Sequence, residues 1–142
     1  IVNRKSNKET GYKMVSLDEL LKKSDYVSLH VPINDETRGM IGAEELKKMK
    51  KSAYLINCAR GGIVEEKVLA DAVMDGVIAG AAVDVFTEEP MTEDNPLRNV
   101  LGIHLTPHLG ASTKEATVNC AVAAAEQIIA YFNEGKEIHK VN

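Results

Sequence analysis

Short apolar runs alternate with helical patterns along this chain, and that alternation limits the possible folds more than any other feature. Each run is too short for a stable helix and is bounded by glycine, proline or polar residues, which is typical of a strand. Strands separated by helices pair in parallel, because the chain crosses back over the sheet between them. We therefore predict an α/β fold, a parallel sheet with flanking helices. The predicted strands are residues 26–31, 53–57, 79–83 and 100–105, and the predicted helices are residues 17–23, 43–50, 65–74 and 113–132.

Two of the predicted helices begin with a capping box. Ser16 is followed three residues later by Glu19, and Ser112 by Glu115. In this pattern the serine hydroxyl accepts a hydrogen bond from a backbone N–H of the first turn, while the glutamate reaches back to the cap. The spacing predicts Ser16 and Ser112 as the two N-caps.

Charge and apolar patterning argue against two classes of partner. The net charge of -4 does not favour a nucleic-acid surface. No apolar run approaches the roughly 20 residues that a membrane span needs, and the start of the chain has no signal-peptide pattern. The sequence therefore predicts neither a nucleic-acid partner nor a membrane partner.

The two cysteines, Cys58 and Cys120, have no C-x-x-C spacing. We expect them to be reduced and buried, as in a cytoplasmic protein. No group of residues has the spacing of metal ligands, so no metal site is predicted.

Four successive strands end in polar or rigid residues. The carboxyl ends of parallel strands lie along one edge of the sheet, which is where ligands bind in open α/β folds. The sequence therefore predicts a functional site at that edge. The residues at the four strand ends are His30-Val31-Pro32, Asn57-Cys58-Ala59-Arg60, Asp84 and Thr106-Pro107-His108.

These strand ends, with the nearby Glu89, form a plausible acid–base set. Arg60 offers five fixed donors for a carboxylate or a carbonyl oxygen. His108 is suited to pass a proton to or from a hydroxyl group, and a carboxylate at Glu89 would fix its tautomer and favour the imidazolium. Asp84 would lie beside a nicotinamide ring. Such a set fits hydride transfer between a cofactor and a 2-keto acid.

Each member of this set also has an ordinary structural interpretation. Arg60 could be a surface arginine in a turn, and Asp84 could cap the turn that follows its strand. Glu89 could be one of several solvated acids in a loop that runs to Pro96. A lone histidine such as His30 is more often satisfied by the backbone, so we interpret it as structural.

Four motifs in this order resemble the D-isomer-specific 2-hydroxyacid dehydrogenases, and the likeness extends from Val15 onward. The resemblance implies a Rossmann-like sheet, NAD as the cofactor and a homo-oligomeric enzyme. The residues of the motifs are most similar to those of family members that act on 3-phosphoglycerate and 3-phosphohydroxypyruvate in serine biosynthesis. The motifs are LHVP at residues 29–32, NCARGGIV at 57–64, DVFTEEP at 84–90 and TPHLGASTKEA at 106–116.

The resemblance also assigns roles to individual residues. It implies that Arg60, Glu89 and His108 form the catalytic triad. The implied dinucleotide contacts are Val31, Pro32, Cys58, Ala59, Arg60, Asp84, His108, Leu109, Gly110 and Ala111.

The chain departs from the family pattern at its beginning. Family members carry a first βαβ unit with G-x-G-x-x-G and a separate substrate domain, and we expect both to be absent here. Ile1-Val2 is typical of the tail of a strand, so the sequence is expected to start inside a domain. Residues 1–142 are accordingly predicted to be the C-terminal part of an NAD(P)-binding domain. About residues 136–142 would return towards the substrate domain, and the chain alone would be inactive.

The cofactor and the function have alternatives. Asn3-Arg4 stands about where the family has an acidic ribose-binding residue, and an arginine there could accommodate the 2′-phosphate of NADP. The same chemistry could serve glyoxylate, hydroxypyruvate or D-lactate. A dinucleotide-gated binding module of the same superfamily is a third interpretation. A fourth is a half-domain that folds poorly alone or pairs with its own copy through an open sheet edge.

Overall fold

The computed structural model describes residues 11–140, which contain four helices and four strands. The four strands form one sheet in the order β1-β2-β3-β4, and every neighbouring pair is parallel. The predicted α/β fold is therefore confirmed. The elements are α1 (Leu17–Lys23), β1 (Tyr26–Leu29), α2 (Ala43–Lys48), β2 (Tyr54–Asn57), α3 (Glu66–Met74), β3 (Gly80–Val83), β4 (Ile103–Leu105) and α4 (Lys114–Glu134).

The chain divides into two compact units between Pro107 and His108. The first unit contains the sheet and the helices α1 to α3, and the second contains α4. Helix α4 ends at Gly135, whose left-handed backbone (φ 64°) caps the last turn. None of the residues of α4 is buried.

The core of the first unit lies between the sheet and its helices. Branched apolar residues alternate inward along the strands, and each helix contributes an apolar stripe. Complete burial of such a side chain contributes roughly 1.5–3 kcal/mol to folding. The largest fully buried side chains are those of Leu21, Ile41, Leu46, Leu55, Ile63, Leu69, Ile78, Val85 and Leu97.

Two of the strands are two or three residues shorter than the sequence pattern indicated, and β2 and β3 each begin one residue later than predicted. The strand predicted at 100–105 begins only at Ile103, because Val100 to Gly102 form a turn in which the Ile103 N–H bonds the Val100 carbonyl at 3.1 Å. Gly102 adopts φ 94° there, a conformation that glycine adopts without strain. The strand predicted at 26–31 ends at Leu29, before Pro32.

Gly80, the first residue of β3, has no room for a side chain because of its neighbours within the sheet. A Cβ at Gly80 would lie 2.5 Å from the Gly102 carbonyl oxygen and 3.0 Å from the Tyr54 ring. At Gly80 the close neighbours are therefore the turn before β4 and an aromatic ring of β2.

The two cap predictions had different outcomes. Ser16 caps α1 as predicted, with its hydroxyl 3.2 Å from the Glu19 N–H that donates to it. The prediction for Ser112 was wrong by one residue, because Thr113 accepts from the Ala116 N–H at 3.1 Å. The Ser112 hydroxyl instead donates to the His108 carbonyl at 3.1 Å, inside the turn that precedes α4.

Two further predictions from the sequence also have outcomes. Cys58 and Cys120 are free thiols, but both are exposed, so the expectation of burial was wrong. Cys58 lies beyond the end of β2 rather than within it, and Cys120 lies on α4. The interpretations of Ile1-Val2 and Asn3-Arg4 fall outside the described residues.

An ion pair between Lys48 and Asp18 (2.8 Å) joins α2 to α1 and gives a pH-dependent prediction. The hydrogen bond and the charge of Lys48 lower the pKa of Asp18, and Asp18 in turn raises the pKa of Lys48. A carboxylate with a lowered pKa stabilises the fold above its unfolded pKa, and this contribution disappears as pH falls through the folded value. A double-mutant cycle of Asp18→Asn and Lys48→Met should show favourable coupling at neutral pH.

The same cycle should show the coupling vanish in acid, where Asp18 is protonated, and at about 1 M salt, because Asp18 is exposed and Lys48 is only half-buried, so that salt screens the pair. Urea denaturation of the wild type, the two single variants and the double variant measures this coupling free energy. As a matched control, Glu44→Gln removes an ion pair that lies within α2 alone, to Lys47, and should not couple to Lys48→Met in the same way. Coupling between positions 18 and 48 that persisted in acid would contradict this account.

Candidate active site

The carboxyl ends of the four strands are level with one another. Leu29 of β1 pairs with Asn57 of β2, Asn57 with Val83 of β3, and Val83 with Leu105 of β4. These are the last residues of their strands. The chain therefore leaves all four strands along one edge, as predicted, and we call it the carboxyl edge.

Strand β1 leads at this edge into His30, Val31 and Pro32. The His30 imidazole lies 2.8 Å from the Ser28 hydroxyl, which supports a structural role, although its partner is a side chain rather than the backbone. The Thr37 hydroxyl donates to the Pro32 carbonyl at 2.6 Å and closes the loop. Val31 is half-buried and Pro32 is exposed, so this segment borders the edge with an apolar surface.

Strand β2 leads into a tight turn that carries Arg60. The buried Asn57 organises this turn, since its side-chain amide donates to the Arg60 carbonyl at 3.1 Å and its side-chain oxygen accepts from the Ala59 N–H at 3.2 Å. The exposed Arg60 guanidinium donates through Nη1 to the Ala59 carbonyl at 2.7 Å. A guanidinium has five N–H donors, so this side chain can bond an anion in addition to the Ala59 carbonyl.

Asn57 positions the Arg60 turn, a role that its place at the end of a strand did not indicate. Its two side-chain groups bond both sides of the turn and set the backbone of Arg60. Asparagine side chains commonly bond the backbone two residues ahead, so the Asn-x-Ala-Arg spacing was a signal for this turn.

Gly61 brings the Arg60 turn against the loop that carries Glu89. A Cβ at Gly61 would lie 1.8 Å from the Phe86 carbonyl oxygen and 2.6 Å from the Thr87 nitrogen. The buried Phe86 also donates its N–H to Glu89 Oε1 at 3.0 Å. The residue after Arg60 therefore touches the residue to which Glu89 is bound.

Asp84 follows β3 and connects it to the end of β4. Its N–H donates to the Asn57 carbonyl at 3.0 Å, and its Oδ1 accepts from the Thr106 hydroxyl. The Thr106 N–H donates to the Val83 carbonyl at 3.1 Å, which extends the β3–β4 ladder by one residue. The Asp84 carboxylate is thus fixed at the carboxyl edge, on the strand next to Arg60.

His108 follows Pro107 in the chain and is the first residue of the second unit. Its backbone is left-handed (φ 54°), which is uncommon for a residue other than glycine and frequent at functional sites. The His108 side chain is exposed, as are Leu109, Gly110 and Ala111. The meeting of the His108 imidazole with Glu89 stays a prediction.

The described residues contain neither a metal-binding cluster nor a membrane-spanning helix. Within residues 11–140, no group of three or more His, Cys, Asp or Glu side chains is placed to hold a metal ion. In the same residues, no helix combines the length and the apolar character that crossing a bilayer requires.

Comparisons with known proteins agree with this geometry. The chain is 50% identical over 120 residues to the D-3-phosphoglycerate dehydrogenase of Synechocystis sp., covering 84% of this chain and 22% of that one. It is 45% identical over 133 residues to the glyoxylate reductase of Aeropyrum pernix, covering 94% and 39%. The NAD-complexed D-isomer specific 2-hydroxyacid dehydrogenase of Lactobacillus delbrueckii ssp. bulgaricus matches with a TM-score of 0.77 and 34% identity, covering 91% and 43%.

The chain thus spans between about a fifth and two fifths of the length of these curated relatives. The sequence model of one family, described as "D-isomer specific 2-hydroxyacid dehydrogenase, NAD binding domain", matches residues 1–110. That range contains all four strands, Arg60, Glu89 and His108. The chain therefore belongs to the D-isomer-specific 2-hydroxyacid dehydrogenases, and the match lies in their NAD-binding domain.

Proposed function

We propose that this chain supplies the catalytic residues of an NAD-dependent dehydrogenase that interconverts 3-phosphoglycerate and 3-phosphohydroxypyruvate. The observation that supports this most is the contact of Gly61 with Phe86, because it joins the Arg60 turn to the anchor of Glu89. An anion-binding arginine and a carboxylate suited to orient an imidazole are thus held on adjoining loops. Reduction of a 2-keto acid needs both kinds of group.

In the proposed reaction, Arg60 binds the carboxylate of the 2-keto acid. A reduced nicotinamide bound at this edge would supply the hydride to the carbonyl carbon. The His108 imidazolium gives its proton to the carbonyl oxygen, which becomes the hydroxyl. In the reverse direction, the neutral imidazole takes the hydroxyl proton. Glu89 accepts a hydrogen bond from the other ring nitrogen and stabilises the imidazolium.

The residues at the carboxyl edge fit a dinucleotide cofactor. The Asp84 carboxylate is held at the carboxyl edge by Thr106. A carboxylate can accept several hydrogen bonds, and we propose that Asp84 also accepts one from the nicotinamide amide. Val31 and Pro32 offer apolar surface, and the 58–60 segment follows the neighbouring strand. In the second unit, Leu109 to Ala111 complete the proposed contacts with the cofactor. NAD is the expected cofactor. NADP would be the alternative if Arg4 binds its 2′-phosphate.

The rest of the proposal concerns the whole enzyme. We propose that residues 1–142 act as the C-terminal part of an NAD-binding domain, with the substrate domain supplied by a longer chain, in a homo-oligomer of the cytoplasm. The nicotinamide side of the cofactor would be bound here, and the pyrophosphate by a glycine-rich turn of the longer chain. Glyoxylate is the second candidate substrate, because relatives with both names match at similar identity.

Steady-state kinetics test the proposed function. The protein to assay is the complete product of the open reading frame that encodes these residues. With NADH, we expect kcat/KM for 3-phosphohydroxypyruvate to exceed that for glyoxylate by at least about tenfold, since one lost phosphate interaction is worth that much. The 142-residue chain alone should show no turnover. A preference for glyoxylate would replace the substrate proposal. The absence of any reductase activity in the complete product, with capture of a peptide partner, would favour the binding module.

A further inference from the structure

We propose that Glu66 is a positioning residue for Glu89, with Asn95 as its partner. The proposal rests on the function proposed above, since it concerns how the acid–base pair of that reaction is held. Glu66 lies in the first turn of α3, outside every motif that the family resemblance singled out. It acts on the loop of residues 84–97, which we call the Glu89 loop.

Both oxygens of the half-buried Glu66 carboxylate are bound to the Glu89 loop. Oε1 accepts from the Thr87 N–H at 2.6 Å, and Oε2 accepts from the Asn95 side-chain amide at 2.8 Å. One carboxylate therefore binds two points of the loop that are eight positions apart. Hydrogen bonds to an ionised acceptor are about twice as strong as those between neutral groups.

Asn95 connects this carboxylate to the core. It is 8% exposed, and its side-chain oxygen accepts from the Leu97 N–H at 2.9 Å. Leu97 is buried in the core cluster. The far end of the Glu89 loop is thus anchored to the core. Asn95 connects this end to Glu66, because it bonds both the Leu97 N–H and the Glu66 carboxylate.

The near end of the loop places Glu89. Two successive backbone N–H groups point to two different carboxylates, since Phe86 donates to Glu89 and Thr87 donates to Glu66. The side chains from Thr87 to Pro90 are exposed, so little apolar packing fixes this part of the loop. Glu66 therefore supplies a restraint next to the residue that holds Glu89.

The hydrogen-bond chemistry of this cluster gives a stringent test. Thr87 N–H and the Asn95 amide are both donors, so position 66 must present two acceptors. Glu66→Gln replaces one acceptor by an N–H₂ group. That group would then face either the Thr87 N–H or the Asn95 amide, and both of these are donors. Asn95→Asp alone places two carboxylates together. The double variant Glu66→Gln/Asn95→Asp restores every pairing and leaves the net charge unchanged, because the new amide then donates to the new carboxylate.

The test has two readouts on the four proteins of this cycle. In the 142-residue chain, hydrogen exchange measured by mass spectrometry should be about tenfold faster across the Glu89 loop in each single variant, and near wild type in the double variant. In the complete enzyme, each single variant should lower kcat about tenfold and leave KM for NADH within about twofold, because the proton-transfer geometry and not cofactor binding is changed. The double variant should recover kcat to within about threefold.

Glu93→Gln is the matched control, since it makes the same chemical change at an exposed position of the same loop. It should leave both readouts unchanged. Faster exchange with unchanged kcat, or a double variant as impaired as the singles, would overturn the positioning role. Hydrogen exchange is measured without substrate. It therefore still tests the restraint of the Glu89 loop by Glu66 if the enzyme does not catalyse the proposed reaction. Failure of that reaction shows separately, as a complete enzyme that does not depend on His108.

Discussion

Replacing His108 by Gln in the complete enzyme should lower kcat by about 10²–10⁴-fold, the usual contribution of a general acid–base group. Gln retains a donor and an acceptor and is similar in length, but it cannot carry the proton between the carbonyl oxygen and solvent. Binding of NADH should change little, so KM for the cofactor should remain within about threefold. Steady-state assays in both directions measure this loss.

His104 provides the matched control for that experiment. It is an exposed histidine on β4, four positions before His108, and the proposed reaction gives it no role. His104→Gln should keep wild-type kcat. If His108→Gln and His104→Gln have equal activity, then His108 is not the acid–base group.

Gly61→Ala should be among the most damaging single substitutions in the first unit. The added methyl group would lie 1.8 Å from the Phe86 carbonyl oxygen, a backbone atom that cannot move away alone. The Arg60 turn and the Glu89 loop must then separate. We expect the free energy of unfolding to fall by about 3 kcal/mol or more, as for severe overpacking. Urea denaturation of the 142-residue chain measures it.

Gly76→Ala separates this steric effect from the general cost of replacing a glycine. Gly76 has a left-handed backbone (φ 67°), and no atom lies within 4 Å of an added Cβ. Its substitution should cost only about 1 kcal/mol, from backbone strain. Equal losses for Gly61→Ala and Gly76→Ala would show that the contact with Phe86 does not hold the two loops together.

The elements and the carboxyl edge could be predicted because local patterns determine them. Alternation of apolar runs with helical spacing indicates parallel strands, and parallel strands place their carboxyl ends on one side of a sheet. That Asn57, Asp84 and Thr106 would be neighbours follows from this geometry alone. The structure adds the register of the paired strands, which fixes the residues that lie opposite one another.

The remaining features depend on contacts between residues that are far apart in sequence. The bond between Asn95 and Glu66 spans 29 positions, and no local pattern indicates it. The cap of α4 was displaced because Ser112 and Thr113 are both good caps and the preceding turn uses the serine. Cys58 was expected to be buried from its small size, but it lies just past the end of β2, where the chain turns to the surface.

A crystal structure of the complete enzyme with NAD and oxalate, an unreactive 2-keto-acid analogue, tests the central claim most directly. We predict that the Arg60 guanidinium binds a carboxylate of oxalate and that one His108 ring nitrogen lies within hydrogen-bond distance of the oxygen that mimics the carbonyl. The other ring nitrogen should donate to Glu89, with Asp84 beside the nicotinamide amide. Arg60, Glu89 and His108 found at separate places, with the analogue bound by other residues, would contradict the account.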